Sequence, residues 1–352
     1  MFQQSSSSDV KTGQQSTKSI RYTSKALPLL DVRNLSTSFG HDTEKLLAID
    51  DVSFTVAPGE ILGLVGESGS GKSITLRSIL GLTKRYGQVE GKVLWKNQNM
   101  NIMKNKELRR IRGSEIAMIF QEPMSSLNPL LTVGLQIDEN LKAHTKLSRS
   151  ARKKRSIELL DLVGIPSAAD RLDDYPHQFS GGMRQRVMIA IALASEPELL
   201  LADEPTTALD VTIQQQILDL ILDLSKNMNM SVIMVTHDLG VAAQTCDRIA
   251  VMYGGKLVEV GPVREILRNP QHPYSIGLLR SVPEDVAPRS ELYSLPGIPP
   301  SLADRPKGCC FAPRCPAAMT KCVTDRPELQ QAGNSCSVAC FNPQTITSGN
   351  IA

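Results

Sequence analysis

Long apolar runs, aromatic side chains and an excess of charge of one sign are all scarce in this 352-residue sequence. No hydrophobic run approaches the roughly 18 residues that cross a bilayer, so we expect any membrane role to come through a partner. Aromatic residues make up 4% of the chain and the net charge is only +3, which does not favour nucleic acid as a partner. The densest basic stretch, residues 146–155, contains no aromatic side chain and is typical of a solvated helix face.

Internal repeats and a secretory signal are also missing. Residues 1–27 are rich in Ser, Gln, Thr and Lys, which predicts a disordered leader and not a targeting segment. Before residue 308 the sequence contains a single cysteine, Cys246. The other six cysteines all lie between residues 309 and 340. With 41% hydrophobic residues, the chain can bury one full α/β core and an appendage.

A glycine-rich loop separates an apolar run, residues 61–65, from a helix-forming segment, residues 74–80. The loop consists of Gly66, Glu67, Ser68, Gly69, Ser70, Gly71, Lys72 and Ser73. This order predicts a phosphate-binding P-loop, in which glycines let the backbone N–H groups point inward, Lys72 reaches the outer phosphates and Ser73 coordinates Mg²⁺. The alternative, a Gly/Ser linker, is disfavoured by the strand before the loop. We therefore expect a bound nucleoside triphosphate.

A second apolar run, residues 199–203, ends in a carboxylate, Asp203. In a parallel sheet this carboxylate reaches the carboxyl edge, beside the phosphates and metal. Glu204 follows directly and is placed to polarise an attacking water, so it is the candidate general base for hydrolysis. The alternative is a solvated acidic turn before Pro205.

Ser180, Gly181 and Gly182 precede an apolar helix-forming segment, residues 187–194. A hydroxyl and free N–H groups at a helix start, with no side chain in the way, are suited to binding an anion.

The order of these features resembles that of the nucleotide-binding subunits of ATP-binding-cassette (ABC) transporters over about residues 29–265. It comprises the P-loop, Gln121, Ser180-Gly181-Gly182, Asp203-Glu204, Ala208-Leu209-Asp210 and His237. The resemblance implies an α/β P-loop nucleotide-binding domain with a RecA-like core, an antiparallel β-subdomain and an inserted α-helical subdomain. It also implies that two cassettes pair head to tail, each Ser-Gly-Gly loop closing on the γ-phosphate that the other holds.

The resemblance assigns roles to single residues. Gln121 would contact Mg²⁺ and the attacking water, His237 would touch the γ-phosphate, and Asp210 would lie at the dimer seam. A lone histidine is more often structural, but His237 follows a strand-like run, which favours the functional interpretation. Phe39 would stack on adenine, although an aromatic residue there fits the core equally well.

Two residues depart from the usual Leu-Ser-Gly-Gly-Gln of that family. Phe179 replaces the leucine and Met183 replaces the glutamine. The Ser-Gly-Gly core is intact, so we expect phosphate binding by this loop to be retained. Every element for hydrolysis that this chain supplies to its own P-loop is also present, so we expect that site to be active when the partner's Ser-Gly-Gly loop is intact.

The terminal cysteines indicate a disulfide staple, a zinc site or an iron–sulfur cluster. Metal is favoured because disulfides need an oxidising compartment, whereas a P-loop ATPase without a signal peptide is expected in the cytosol. The spacing is wide for structural zinc, which usually begins with a close Cys pair that only Cys336 and Cys340 offer. Unligated thiols in a loose tail are the remaining alternative.

A second resemblance concerns the C-terminal extension of the oligopeptide and dipeptide importer ATPases. Three patterns carry it, namely 272–274 (His-Pro-Tyr), 295–297 (Leu-Pro-Gly) and the Cys-rich stretch from residue 308 to 340. The resemblance implies a [4Fe–4S] cluster on Cys309, Cys315, Cys322 and Cys340. Cys310 and Cys336 fall outside the pattern, although Cys336 is an alternative to Cys340 as the fourth ligand.

Composition divides the chain into a leader (1–27), a nucleotide-binding domain (28–265) containing a helical subdomain (122–178), a Cys-rich extension (266–345) and a tail (346–352). Gly254-Gly255 predicts a hairpin between two strands, and the apolar residues between 213 and 224 recur at helical spacing.

We therefore expect the ATP-hydrolysing subunit of a peptide importer at the cytoplasmic face of a bacterial inner membrane. The implied partners are a paralogous second ATPase subunit, two integral permease subunits and, indirectly, an extracytoplasmic peptide-binding protein. The cargo stays open among dipeptides, longer peptides, nickel chelates and antimicrobial peptides. Other classes are an ATPase for iron–sulfur cluster assembly, a chromosome or DNA-repair ATPase and a ribosomal factor. The last two are disfavoured because no coiled coil or zinc module interrupts the cassette and only one cassette is present.

Overall fold

The computed structural model describes residues 27–40, 45–122, 126–207, 209–281, 293–333 and 335–345. The predicted tail and all of the predicted leader except Leu27 lie outside these ranges. The strands are β1 (Leu30–Phe39), β2 (Leu46–Val56), β3 (Ile61–Val65), β4 (Gly87–Trp95), β5 (Gln98–Asn99), β6 (Ile116–Ile119), β7 (Leu199–Asp203), β8 (Ser231–Thr236), β9 (Arg248–Tyr253), β10 (Lys256–Pro262), β11 (Gln330–Ala332) and β12 (Cys336–Val338).

The helices alternate with the strands in the first part of the chain and dominate its middle. They are α1 (Lys72–Ile79), α2 (Asn105–Ile111), α3 (Val133–His144), α4 (Arg149–Leu162), α5 (Ala168–Arg171), α6 (Gly181–Leu193), α7 (Val211–Met228), α8 (Leu239–Thr245), α9 (Val263–Arg268), α10 (Pro273–Arg280) and α11 (Thr320–Thr324). In the described part of the chain, no helix combines the length and hydrophobicity needed to cross a membrane.

The strands form two sheets. A four-stranded antiparallel sheet has the order β2-β1-β4-β5, and an eight-stranded sheet has the order β11-β12-β10-β9-β3-β8-β7-β6. The five strands from β9 to β6 run parallel. Strands β3, β7 and β8 are buried along their whole length, as expected for apolar runs covered on both faces of a parallel sheet.

The register of the parallel strands brings their carboxyl ends to one edge. Val65 pairs with Thr236, Asp203 pairs with Val235, and Ile119 pairs with Ala202. Because ligands in parallel α/β sheets bind beyond the carboxyl ends of the strands, this edge is where functional groups should gather.

Along the chain, a helical segment, α3 to α5, follows β6 and precedes α6 and β7. Thr132 and Ser148 begin α3 and α4 as N-caps, each hydroxyl accepting a backbone N–H one turn ahead. Their apolar faces pack into the same core as α6. Most of the basic stretch at residues 146–155 is solvent-exposed, as predicted for a solvated helix face.

Two local predictions are confirmed. Gly254 and Gly255 connect β9 and β10 as a tight hairpin, both with positive φ (53° and 79°), which the primed two-residue turns require. Helix α7 turns Ile217, Ile221 and Leu224 into the core and ends at Asn229, whose φ of 51° is typical of a left-handed helix terminus.

Residues of the predicted C-terminal extension (266–345) continue the large sheet. Strand β12 pairs antiparallel with β10, Glu259 lying opposite Val338. Three buried aromatic rings join the extension to β9: the Tyr253 centroid lies 4.6 Å from that of Tyr274 and 5.1 Å from that of Phe311. Full burial of such a side chain stabilises a fold by about 1.5–3 kcal/mol, so the extension is anchored on the cassette by its apolar contacts.

Candidate active site

The glycine loop lies between β3 and α1, as its sequence predicts. Gly66 has a φ of 157°, and a Cβ at this position would lie 2.2 Å from the carbonyl oxygen of Met252. No residue larger than glycine fits so close to the Met252 carbonyl. Gly71, with a φ of 104°, is the N-cap of α1, so the loop leads directly into the positive end of a helix dipole.

Lys72 lies inside the loop. Its side chain is buried, and its Nζ donates hydrogen bonds to the carbonyl oxygens of Gly66 (2.7 Å) and Glu67 (2.9 Å). Burial lowers the pKa of Lys72, while the nearby carboxylates of Glu204, Asp203 and Glu67 oppose that shift. The Lys72 ammonium group therefore lies within the loop, and in the nucleotide complex a phosphate oxygen can replace the two carbonyls as its hydrogen-bond acceptor.

Ser73 and Asp203 meet at the strand edge. The Ser73 hydroxyl donates to Asp203 Oδ1 at 2.7 Å, and the fully buried Asp203 keeps its other oxygen, Oδ2, without a hydrogen-bond partner. Burial raises the pKa of Asp203, and the hydrogen bond from Ser73 opposes this. A hydroxyl beside a carboxylate with a spare oxygen fits Mg²⁺, which takes one or two protein oxygens and completes its shell with phosphate and water.

The three residues predicted to act in hydrolysis come together. Glu204 Oε2 accepts a hydrogen bond from Gln121 Nε2 (3.1 Å) and lies 3.5 Å from His237 Nδ1. Thr207 Oγ1 donates to the same oxygen at 2.8 Å, a contact that sequence reasoning missed. The Glu204 side chain is 13% exposed and that of His237 62%, so the carboxylate lies at the base of an open site.

Glu204 has an unusual backbone. Its φ is 48°, in the left-handed region that non-glycine residues rarely adopt, at a typical cost of about 1–3 kcal/mol. Its backbone N–H donates to the Val235 carbonyl at 3.2 Å, which ties the turn to β8. A cavity of about 210 Å³ adjoins this residue, and Thr207 and His237 contribute to its lining. Strain held beside a cavity points to a functional constraint.

The Ser180 loop lies at the start of α6. Ser180 is the N-cap and its Oγ accepts the Met183 N–H at 3.4 Å, while Ser180 and Gly181 are exposed. A Cβ on Gly182 would lie 2.7 Å from Ile213 Cγ2 of α7, so only glycine allows the two helices to approach this closely. The atypical Phe179 is buried, with the Arg171 guanidinium 5.7 Å from its ring centre. It therefore fills a core position without altering the exposed loop.

Two further residues predicted to lie at the nucleotide site, Asp210 and Phe39, are in the described part of the chain. Asp210 is the exposed N-cap of α7 and makes no side-chain capping bond; Ala208 lies outside the described residues. Phe39, at the end of β1, is half-buried, and its ring stacks on that of the exposed Tyr86 at 6.2 Å and 21°. Phe39 is thus not a residue of the buried core, and the surface position of the pair is compatible with base stacking.

The cysteines of the extension differ in their surroundings. Burial raises the pKa of the Cys309 thiol to about 11 and also raises the pKa of Cys315 and Cys340, and a charge on Cys322 raises each of the three further. Cys336 instead faces acidic neighbours on β10 and α9. Among the residues that the structure describes, no three Cys, His, Asp or Glu side chains are gathered as a metal site. The four pattern cysteines therefore share a neighbourhood but not a ligand geometry.

Comparisons with known proteins place these features in context. Residues 49–207 match the family model "ABC transporter", and residues 258–322 match "Oligopeptide/dipeptide transporter, C-terminal region". The chain is 51% identical over 318 residues to the dipeptide transport ATP-binding protein DppD of Haemophilus influenzae, covering 90% of this chain and 96% of that protein. It is 48% identical over 318 residues to DppD of Escherichia coli, covering 90% and 97%.

A solved structure is also similar. The ATP-binding cassette MJ0796, in a dimeric post-hydrolysis state bound to ADP and Pi, matches with a TM-score of 0.60 and 32% identity, covering 67% of this chain and 99% of that one. The predicted cassette fold is thereby confirmed.

Proposed function

Because this chain belongs to the ABC transporter ATP-binding proteins of the oligopeptide and dipeptide transport family, we propose that it hydrolyses ATP to drive peptide import through a membrane permease. The observation that carries the proposal is the meeting of Gln121, Glu204 and His237 at the strand edge that also holds the P-loop. The names of the relatives concern peptide transport and lend no support to the alternative of iron–sulfur cluster assembly.

The chemistry follows from the placement of Glu204. Its carboxylate takes a proton from a water molecule while the water oxygen bonds to the γ-phosphorus. The bond from the γ-phosphorus to the β–γ bridging oxygen breaks, and ADP and inorganic phosphate leave. Gln121 and His237, both at the Glu204 carboxylate, orient the water and the γ-phosphate. Ser73 and Asp203 would hold Mg²⁺, which neutralises charge on the phosphates.

The clamp on the γ-phosphate comes from a second cassette. Ser180 and Gly181 are exposed at the N-terminus of α6, where a helix dipole and free N–H groups favour an anion. We propose that a paralogous subunit is the dimer partner. Each of the two ATP sites would then combine the P-loop of one chain with the Ser-Gly-Gly loop of the other. Asp210, exposed at the start of α7, would lie at the seam.

Closure of the pair would pull on two integral permease subunits at the cytoplasmic face of a bacterial inner membrane. The helical segment near Gln121 would carry the movement; residues 123–125 of that region lie outside the described part of the chain. An extracytoplasmic binding protein would deliver the peptide, with nickel chelates and antimicrobial peptides as alternative cargo. The test is ATP turnover by the purified assembly in vesicles: peptide with binding protein should raise it, and stimulation by metal chelates alone would contradict peptide cargo.

Phe39 is the proposed adenine contact. Phe39→Ala should weaken ATP binding about tenfold, since stacking of a base on an aromatic ring contributes about 1–3 kcal/mol. The measurement compares ATP with inorganic tripolyphosphate, which has no base and should bind the variant as tightly as the wild type. Phe39→Tyr, which keeps a ring, is the matched control. An equal loss for both ligands would assign Phe39 a structural role instead.

For the extension we propose a [4Fe–4S] cluster on Cys309, Cys315, Cys322 and Cys340, supported by the family pattern and by the backbone hydrogen bond from Cys309 to the Cys322 carbonyl at 2.8 Å. Anaerobically purified protein should contain iron and sulfide, and Cys309→Ser and Cys340→Ser should each lose most of both. Cys336→Ser is the matched control and should retain them. Loss in Cys336→Ser with retention in Cys340→Ser would exchange the fourth ligand, and iron-free wild type would end the proposal.

A further inference from the structure

The P-loop carries a carboxylate that is held by the far end of the chain. Glu67 accepts two hydrogen bonds from Arg314, one from Nη1 to Oε2 at 2.7 Å and one from Nη2 to Oε1 at 3.1 Å. This is the bidentate geometry in which arginine binds carboxylates most strongly. The Arg314 side chain is 4% exposed and that of Glu67 is 26% exposed, so water reaches the pair mainly from the carboxylate side.

Arg314 is itself fixed by neighbours. Its Nε donates to the Pro296 carbonyl at 2.9 Å and its Nη2 to the Leu295 carbonyl at 3.3 Å. Its Nη1 also donates to the Tyr253 hydroxyl at 3.2 Å, and the guanidinium lies over the Tyr253 and Phe311 rings. These contacts hold the Arg314 side chain in one conformation, so its guanidinium offers Glu67 a fixed hydrogen-bonding partner.

The backbone of Glu67 is held as well. Its N–H donates to the Tyr274 hydroxyl at 2.8 Å. Tyr274 is fully buried in the first turn of α10, where the His272 side chain accepts its N–H as the N-cap. Two residues of the extension thus fix both the side chain and the main chain of one P-loop residue.

The charge on Glu67 gives this contact a consequence for nucleotide binding. Lys72 Nζ donates to the backbone carbonyl of Glu67 at 2.9 Å, and the Glu67 carboxylate acts to raise the pKa of Lys72. An unpaired negative charge on this residue of the phosphate loop would repel a polyphosphate. Pairing with Arg314 compensates the charge of the carboxylate and fixes both of its oxygens. Without the arginine, a half-buried and unpaired anion would remain beside the site.

We propose that Arg314 and Tyr274 are positioning residues through which the extension sets the ATP affinity of the cassette. The inference rests on the proposed ATP-binding function of the loop. It predicts that loss of the arginine harms binding chiefly by releasing the charge of Glu67, so that removing this charge should restore binding. A contact that merely held the extension in place would not behave in this way.

The test measures the dissociation constant of Mg²⁺–ATP on the full-length protein by displacement of a fluorescent ATP analogue. Arg314→Gln should weaken binding about tenfold, the order expected for a charge-assisted pair. With Glu67→Gln alone measured as the reference, the double variant should bind nearly as tightly as that reference and so recover most of the loss seen in Arg314→Gln. Tyr274→Phe removes only a hydroxyl and should weaken ATP binding about threefold. This variant tests the proposal if Arg314→Gln does not fold.

Arg326→Gln is the matched control. Arg326 also joins the extension to the cassette, but its hydrogen bonds go to Asp50 at 2.7 Å and to the Lys307 carbonyl at 2.8 Å and not to a P-loop residue, so its loss should leave the dissociation constant unchanged. Unchanged affinity in Arg314→Gln, or additive losses in the double variant, would overturn the proposal. These outcomes are independent of transport: absent peptide stimulation with intact ATP binding would count against the importer function alone.

Discussion

Replacing Glu204 with glutamine is expected to lower the maximal rate of ATP hydrolysis by about 10²- to 10⁴-fold, the range that general-base catalysis contributes. Glutamine has nearly the same shape and still accepts a hydrogen bond from Thr207, but it cannot take a proton from water. ATP binding should be retained, because the carboxylate is not part of the phosphate cradle. The measurements are steady-state phosphate release by the assembled complex and ATP affinity.

Glu198→Gln provides the control for this substitution. Glu198 pairs with Lys96 on the surface, far from the chemistry, and its side chain is 52% exposed, so the same change there should leave turnover unaffected. Unchanged steady-state hydrolysis in Glu204→Gln would mean that another group, or water alone, accepts the proton.

Lys72→Ala is expected to weaken ATP binding by about 10²-fold, since charge-assisted hydrogen bonds to phosphate are among the strongest in proteins. The substitution also leaves the carbonyls of Gly66 and Glu67 without the donor that they now share. Equilibrium binding of ATP, with thermal unfolding of the nucleotide-free protein, separates lost affinity from lost fold.

The exposed Lys92 on β4 offers the control, because Lys92→Ala removes the same charge from the chain without touching the loop. If the two alanine variants bound ATP equally well, Lys72 would have no direct role at the phosphates.

Much of the site could be predicted from local sequence because the chemistry sits at strand ends. Residues 61–65 and 199–203 are short apolar runs, and each is followed at once by the polar groups that the sheet then gathers. The parallel register does the rest, since Val65 and Asp203 both lie level with the end of β8. The meeting of Gln121 with Glu204 was accessible only through the family resemblance.

The contacts of the extension could not be predicted. Arg314 and Glu67 are 247 residues apart in the chain, and no periodicity links them. Strand β12 is three residues long, too short for a propensity signal, and forms because β10 offers an unpaired edge. Tyr274 was singled out as part of a family pattern, yet its use as a hydrogen-bond acceptor for the P-loop follows only from tertiary packing.

The shared aromatic cluster of Tyr253, Tyr274 and Phe311 bears on how this chain can be recombined with others. Its rings come from both sides of the proposed boundary at residue 265, so neither side keeps a complete interior when separated. A chimera that grafts this C-terminus onto a foreign cassette would need a host with a tyrosine at the end of the acceptor strand and an acid in the phosphate loop. The two regions can be told apart by their sequence patterns, but we expect them to fold as one unit.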